Sequence, residues 1–157
     1  MWGKARIFPA ETLNNFSVTF QVSPPFTYGP GVQPISLTST EPPAGALAVV
    51  SGWGTLTSGT ISLSSQLQAV EVYITPREEC DSAYAPYGGI TVNMICAGVP
   101  GGGKDFCQGD SGGPLVVDSQ LVGIASVGYV CAATPYPAIY SNIATLKSFV
   151  TENTGVQ

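Results

Sequence analysis

Glycine and proline interrupt this chain so often that long helices have little room: 19 Gly and 13 Pro make up about a fifth of its 157 residues, against a usual share near ~12%. They are spread among apolar runs, a pattern of a turn-rich globular domain and not of disorder. The length suits one barrel or sandwich, because a two-barrel all-β unit routinely takes roughly 200–250 residues. Residues 23–46 carry Pro24, Pro25, Pro30, Pro34, Pro42 and Pro43, and proline's fixed φ and missing N–H make that stretch an extended connector. Compact structure is expected from Leu47. Ala48-Val49-Val50-Ser51 reads as a buried strand, whereas Val70, Val72 and Ile74 alternate with Glu71 and Tyr73 as in a half-buried one. Leu115-Val116-Val117, then Asp118-Ser119, then Leu121 to Ala125 read as a hairpin. One helix is expected, at the end, where Asn142 can cap a segment that places Ile143, Leu146, Phe149 and Val150 on one face.

The chain contains no histidine. That excludes a Cys/His zinc site, His-ligated haem and an imidazole general base built from this chain alone, and neither a metal nor a cofactor is expected. Five Lys+Arg against ten Asp+Glu give a net charge of −5, and basic residues come together only at Lys4 and Arg6, so nucleic acid is not an expected partner. No apolar run approaches the ~18 residues of a membrane span, and no apolar segment follows Met1-Trp2-Gly3-Lys4 to make a signal peptide. The four cysteines, Cys80, Cys96, Cys107 and Cys131, are spaced by 16, 11 and 24 residues, which fits no metal pattern. Two disulfides are the better reading, with three connectivities open, and they imply an oxidising, extracellular compartment.

The chemistry concentrates in Cys107-Gln108-Gly109-Asp110-Ser111-Gly112-Gly113-Pro114. A serine between glycines can sit on a tight turn with its oxygen exposed, while backbone N–H groups of the turn gather where an oxyanion would form. An α/β-hydrolase elbow would need a helix after the serine; here Pro114 and an apolar strand follow.

This segment resembles the active-serine loop of the trypsin/chymotrypsin-like serine proteases. Val50-Ser51-Gly52-Trp53-Gly54 is similar to the family's opening of the second barrel, and Asn93-Met94-Ile95-Cys96-Ala97-Gly98 to its run into the specificity pocket. Gly123 to Gly128 resembles the substrate-flanking strand, Pro137-Ala138-Ile139-Tyr140 the pocket's far wall, and Pro24-Pro25-Phe26 through Pro34-Ile35-Ser36-Leu37 the inter-barrel connector. The resemblance implies an all-β fold, the six-stranded antiparallel second barrel with a C-terminal helix, over residues 47–157, preceded in residues 1–46 by the connector and a remnant of the first barrel. It implies Ser111 as nucleophile, the N–H groups of Gly109 and Ser111 as oxyanion hole, and pairings Cys80–Cys96 and Cys107–Cys131. Asp105 falls where trypsin-like members place the acid at the floor of the primary pocket, with Ser126, Gly128 and Ala138 in its walls. The implied partners are a peptide or protein substrate or a protease inhibitor, with cleavage after Arg or Lys. Ala138 stands where these members have Gly, and its methyl should narrow the slot.

Two departures bear on activity. The family's base is a His of the first barrel, a barrel the resemblance does not cover, and the orienting acid follows an Asn-Asn step, whereas here Leu13-Asn14-Asn15 is followed by Phe16 and no carboxylate occurs between Glu11 and Glu41. In the family, an Ile or Val amine freed by activation buries against the acid before the nucleophile, here Asp110. With no such amine, Asp110 is expected to turn outward or to find another donor. Asn15-Phe16-Ser17 forms a glycosylation sequon. The resemblance thus implies a serine endopeptidase segment inactive alone; the alternative is a non-catalytic homologue that keeps the protease surface as a binding or regulatory module.

Overall fold

The computed structural model describes residues 22–154. Alternating apolar positions build its strands. In β2 (Leu47–Gly52) Ala48 and Val50 are buried while Leu47 and Val49 stay outside, and in β3 (Gln68–Ile74) Val72 and Ile74 face inward. β2 is therefore half-buried, not the fully buried strand its apolar run suggests, because a run this short reads alike for either case. β4 (Met94–Gly98), β5 (Pro114–Val117), β6 (Gln120–Val127) and β7 (Ala138–Asn142) join them in the order β6-β5-β2-β3-β4-β7. Every neighbouring pair is antiparallel, and β7 pairs back onto β6. The sheet closes into a six-stranded barrel, which removes the open edges of a flat sheet. Leu115, Ile95, Val72 and Tyr140 fill the interior, and the Phe106 ring meets Tyr140 edge-on at 5.2 Å. A Cβ on Gly123 would lie 2.9 Å from Tyr140 Cβ, so the strand passes this point only as glycine.

The β5–β6 hairpin turns through Asp118 (φ 47°) and Ser119 (φ 62°). Two consecutive left-handed residues define the type I′ turn, whose twist matches the flanking strands and whose preferred sequence is Asn-Gly. Replacing Asp118-Ser119 by Asn-Gly is expected to raise stability by about 1 kcal/mol, because Gly carries no Cβ penalty at positive φ. An unchanged or lower urea midpoint would count against this.

Packing begins before Leu47. In the connector, β1 (Ser36–Leu37) lies parallel to β6, the Thr38 N–H donates to the Leu121 carbonyl at 3.1 Å, and Thr38 is buried. Farther along, Glu41 Oε2 accepts from Arg77 at 3.2 Å and from Asn142 Nδ2 at 2.8 Å. Arg77 opens a helix absent from the sequence expectation, α1 (Arg77–Tyr84), with Glu78 and Glu79 in its first turn. Its low overall hydropathy hid it: only Cys80 and Tyr84, one turn apart, are buried, and the Cys80–Cys96 disulfide anchors it to β4. The terminal helix α2 (Ile143–Thr154) starts as the sequence suggests. Asn142 Oδ1 accepts from the Ala144 N–H at 3.1 Å, and Ile143 and Leu146 are buried. Asn142, itself fully buried, has its side-chain oxygen and nitrogen both satisfied, as a polar group away from water requires.

Candidate active site

The loop from Cys107 to Gly113 leaves the barrel after the buried Phe106 and returns into β5. Gly109 (φ 96°) and Gly112 (φ 85°) take left-handed backbone, which β-carbons disfavour. The Asp110 N–H donates to Cys107 O at 2.9 Å and the Gly113 N–H to Asp110 O at 2.8 Å, closing two turns. Beyond itself the loop is held by the Gly112 N–H to Ala125 O and the Ala125 N–H to Gly113 O, both 2.8 Å, and by the Thr55 N–H to Gln108 O at 2.9 Å. Ser111 is exposed at its tip, and the N–H groups of Gly109 and Ser111 donate to no described residue. Ser126 follows Ala125 at a bulge: β6 pairs Ala125 with Tyr140 and then Val127 with Ile139, leaving Ser126 unpaired and exposed. A bulge re-aims a strand residue in this way.

Asp110 turns back into the fold. Its Oδ1 accepts from the Gly54 N–H at 2.6 Å and its Oδ2 from the Cys107 N–H at 3.0 Å. Gly52 and Gly54 are flush against the carboxylate, so a Cβ on either would collide with it. The Gly-Trp-Gly step thus forms the seat of Asp110, a role the sequence motif does not state by itself. Two glycines one residue apart on one strand end are the only hint of a close approach there. Gly109 is equally constrained, since a Cβ there would lie 2.6 Å from Leu63 Cδ2.

Asp105 is half-buried, with Oδ1 accepting from its neighbour Phe106 N–H at 2.7 Å and Oδ2 from the Ala132 N–H at 3.2 Å. Burial outweighs those two amides and pushes its carboxyl up to about 6. No cation among the described residues pairs with it. Two cavities meet at Asp105. One, of about 770 Å³, runs past Val99, Pro100, Ala133 and Tyr136; the other, of about 280 Å³, is bounded by Gly52, Gly54, Thr55, Asp110 and Cys131. The Tyr140 hydroxyl is buried without a hydrogen-bond partner among the described residues, and burial, then the charges of Asp105 and Asp110, hold it well above the usual tyrosine range.

The structure therefore gathers Asp105, Asp110, Cys107 and Cys131 around one cavity, and the Cys107–Cys131 disulfide ties the serine loop to the segment facing Asp105. Ser111, Ser126, Gly128 and Ala138 line neither cavity. Gly128 faces open space, whereas Ala138 is wholly buried at the start of β7, opposite Ala97. Asn15 lies outside the described residues.

The family model for trypsin matches residues 5–150. The chain belongs to the trypsin family. This trypsin-family chain is 44% identical over 147 residues to trypsin delta of Drosophila melanogaster, covering 93% of this chain and 57% of that protein. It is 46% identical to trypsin beta of Drosophila erecta, with 91% and 56% covered, and 44% identical to trypsin alpha-3 of Lucilia cuprina, with 91% and 86% covered. It thus spans little more than half the length of the Drosophila trypsins. Among solved structures, neuropsin, a serine protease expressed in the limbic system of mouse brain, superposes with a TM-score of 0.80 at 36% identity, over 85% of this chain and 59% of that one.

Proposed function

We propose that this chain is the serine-bearing part of a secreted trypsin-like endopeptidase, with residues 1–46 the tail of the first barrel and connector and 47–157 the second barrel. The observation that carries the reading is the serine loop: an exposed Ser111 on a turn whose Gly109 and Ser111 N–H groups are free, pinned through Ala125 to the strand that carries Ser126. Ser111 attacks the scissile carbonyl, and the two free N–H groups hold the oxyanion that forms there. Asp105 receives the Arg or Lys side chain of a peptide or protein substrate, because a half-buried carboxylate without a charged partner is repaid by a cation. The base comes from the first barrel of the complete protein, whereas the position of its orienting acid falls within this chain and holds Phe16; this chain, with no His among its 157 residues, is inactive on its own. Two disulfides, Cys80–Cys96 and Cys107–Cys131, suit an oxidising compartment outside the cell.

A benzamidinium ion tests the pocket. Only ionised Asp105 pairs with it, and that carboxyl titrates at about 6, so binding is expected to be about tenfold weaker at pH 5 than at pH 7 and to level off above pH ~7. Asp105→Asn should abolish the binding. Affinity independent of pH, or retained in the variant, overturns the assignment of Asp105.

A further inference from the structure

Four of the seven tyrosines meet in one cluster, drawn from two segments far apart in sequence. Tyr84 ends α1 and Tyr87 ends the helical turn Ala85–Tyr87 that follows it, whereas Tyr129 and Tyr136 lie in the loop between β6 and β7. Ring centroids stand 5.5 Å apart for Tyr87 and Tyr129, 4.6 Å for Tyr129 and Tyr136, and 5.4 Å for Tyr84 and Tyr136, all within the ~4.5–7 Å of aromatic contact. The members are not equivalent. Tyr84 is buried and its hydroxyl donates to Pro137 O at 2.8 Å, and Tyr136 is half-buried. Tyr87 and Tyr129 are 58% and 56% exposed. The Tyr87 hydroxyl bonds to that of Tyr129, the largest of the causes that push its pKa up to about 12. Two phenols joined through their oxygens also bring together the ring carbons beside those oxygens. The other exposed tyrosines, Tyr28 and Tyr73, meet no ring among the described residues.

The disulfides leave these two segments separate. Cys80–Cys96 closes one loop, with Tyr87 inside it, and Cys107–Cys131 closes the next, with Tyr129 inside it. Only the backbone from Cys96 to Cys107 joins the two loops covalently. The contact between Tyr87 and Tyr129 therefore spans the one junction that neither disulfide secures.

We propose that Tyr87 and Tyr129 are an oxidative modification site, joined as dityrosine by a haem peroxidase with hydrogen peroxide, and that the new bond latches the two disulfide loops together. The reaction requires no proteolytic activity of the chain. The oxidant takes one electron from each phenol as its proton leaves, giving two phenoxyl radicals whose unpaired spin is shared with the carbons ortho to oxygen. One ortho carbon of each ring bonds to the other, and the hydrogen on each then moves to its phenol oxygen and restores the ring. The two electrons and two protons removed turn one hydrogen peroxide into two waters, so the protein loses two hydrogens. A cross-link between distant residues stabilises a fold by restricting its unfolded chain. This one also fixes the loop between β6 and β7, whose Ala132 N–H donates to Asp105, onto the end of α1.

The test is oxidation of the whole chain at high dilution by a haem peroxidase and hydrogen peroxide, read by dityrosine fluorescence and intact mass. The expected product is a monomer lighter by two hydrogens, in which peptide mapping joins Tyr87 to Tyr129. Dimers linked through Tyr28 or Tyr73 have doubled mass and are counted apart. Tyr87→Phe and Tyr129→Phe keep the ring packing and should each abolish the cross-linked monomer, whereas Tyr136→Phe should leave its yield unchanged. No cross-linked monomer, a map that joins Tyr129 to Tyr136, or a Tyr87→Phe variant that cross-links as well as its parent overturns the site. The cross-linked monomer should also unfold at a higher urea midpoint than a Tyr129→Phe chain oxidised alike. An equal or lower midpoint overturns the latch, while the peptide map alone still decides whether the bond forms.

Discussion

A fluorophosphonate probe is expected to label Ser111 of this chain on the order of 10⁶-fold more slowly than it labels an intact Ser-His-Asp protease, the loss that removing the base inflicts on subtilisin. That factor corresponds to about 8 kcal/mol of activation free energy. A serine hydroxyl is a poor nucleophile near neutral pH until a neighbour takes its proton, and the chain holds no His to do so. The free N–H groups of Gly109 and Ser111 can steady an oxyanion once formed, but they do not generate the alkoxide. The complete protein, with the base of its first barrel, should label faster than this chain but, with Phe16 where the family has its orienting acid, still on the order of 10⁴-fold more slowly than an intact triad, and Ser111→Ala should remove the label from both. Rapid, stoichiometric labelling of the isolated chain would show that another group serves as base.

Gly54→Ala is expected to destabilise the fold by about 3 kcal/mol, read from the urea midpoint at unchanged m-value. The added methyl takes the place of the Asp110 carboxylate, so the charged acceptor must leave and its two bonds, to Gly54 and Cys107, are lost. A hydrogen bond to a charged group contributes about 1.5–3 kcal/mol, and the stranded amides add their own cost. Asp110→Ala should cost a similar amount, because it strands the same two amides. The decisive comparison is the double variant. If both changes act by emptying one seat, Gly54→Ala with Asp110→Ala costs little more than Asp110→Ala alone; additive losses would mean that Gly54 is needed for some other reason.

Strands were legible wherever an alternating face met a turn signal. β3, the β5–β6 hairpin and the Asn142-capped α2 appear where periodicity and capping residues place them, because each is specified by neighbours in sequence. β1 and α1 were not. Ser36–Leu37 is a strand only because β6 offers its edge there, and Arg77–Tyr84 is a helix whose apolar content is essentially one disulfide cysteine and one tyrosine. Local sequence carries little of either, since the partner that stabilises each lies far along the chain. The barrel itself rested on a resemblance, for no periodicity states that β7 returns to β6.

The sequence by itself determined the chemistry available to this protein. A Gly-bracketed serine, an absent histidine, four cysteines in the second half and only five Lys or Arg are counts and spacings, and no folding can add an imidazole that is not encoded. Only the tertiary structure decided how those groups are held. It turned Asp110 inward onto the amides of Gly54 and Cys107 and set Asp105 where burial raises its carboxyl to about 6. The reason is physical: desolvation, hydrogen bonding and backbone accessibility depend on which distant segments closure of the barrel brings together, and the order of residues does not contain those distances.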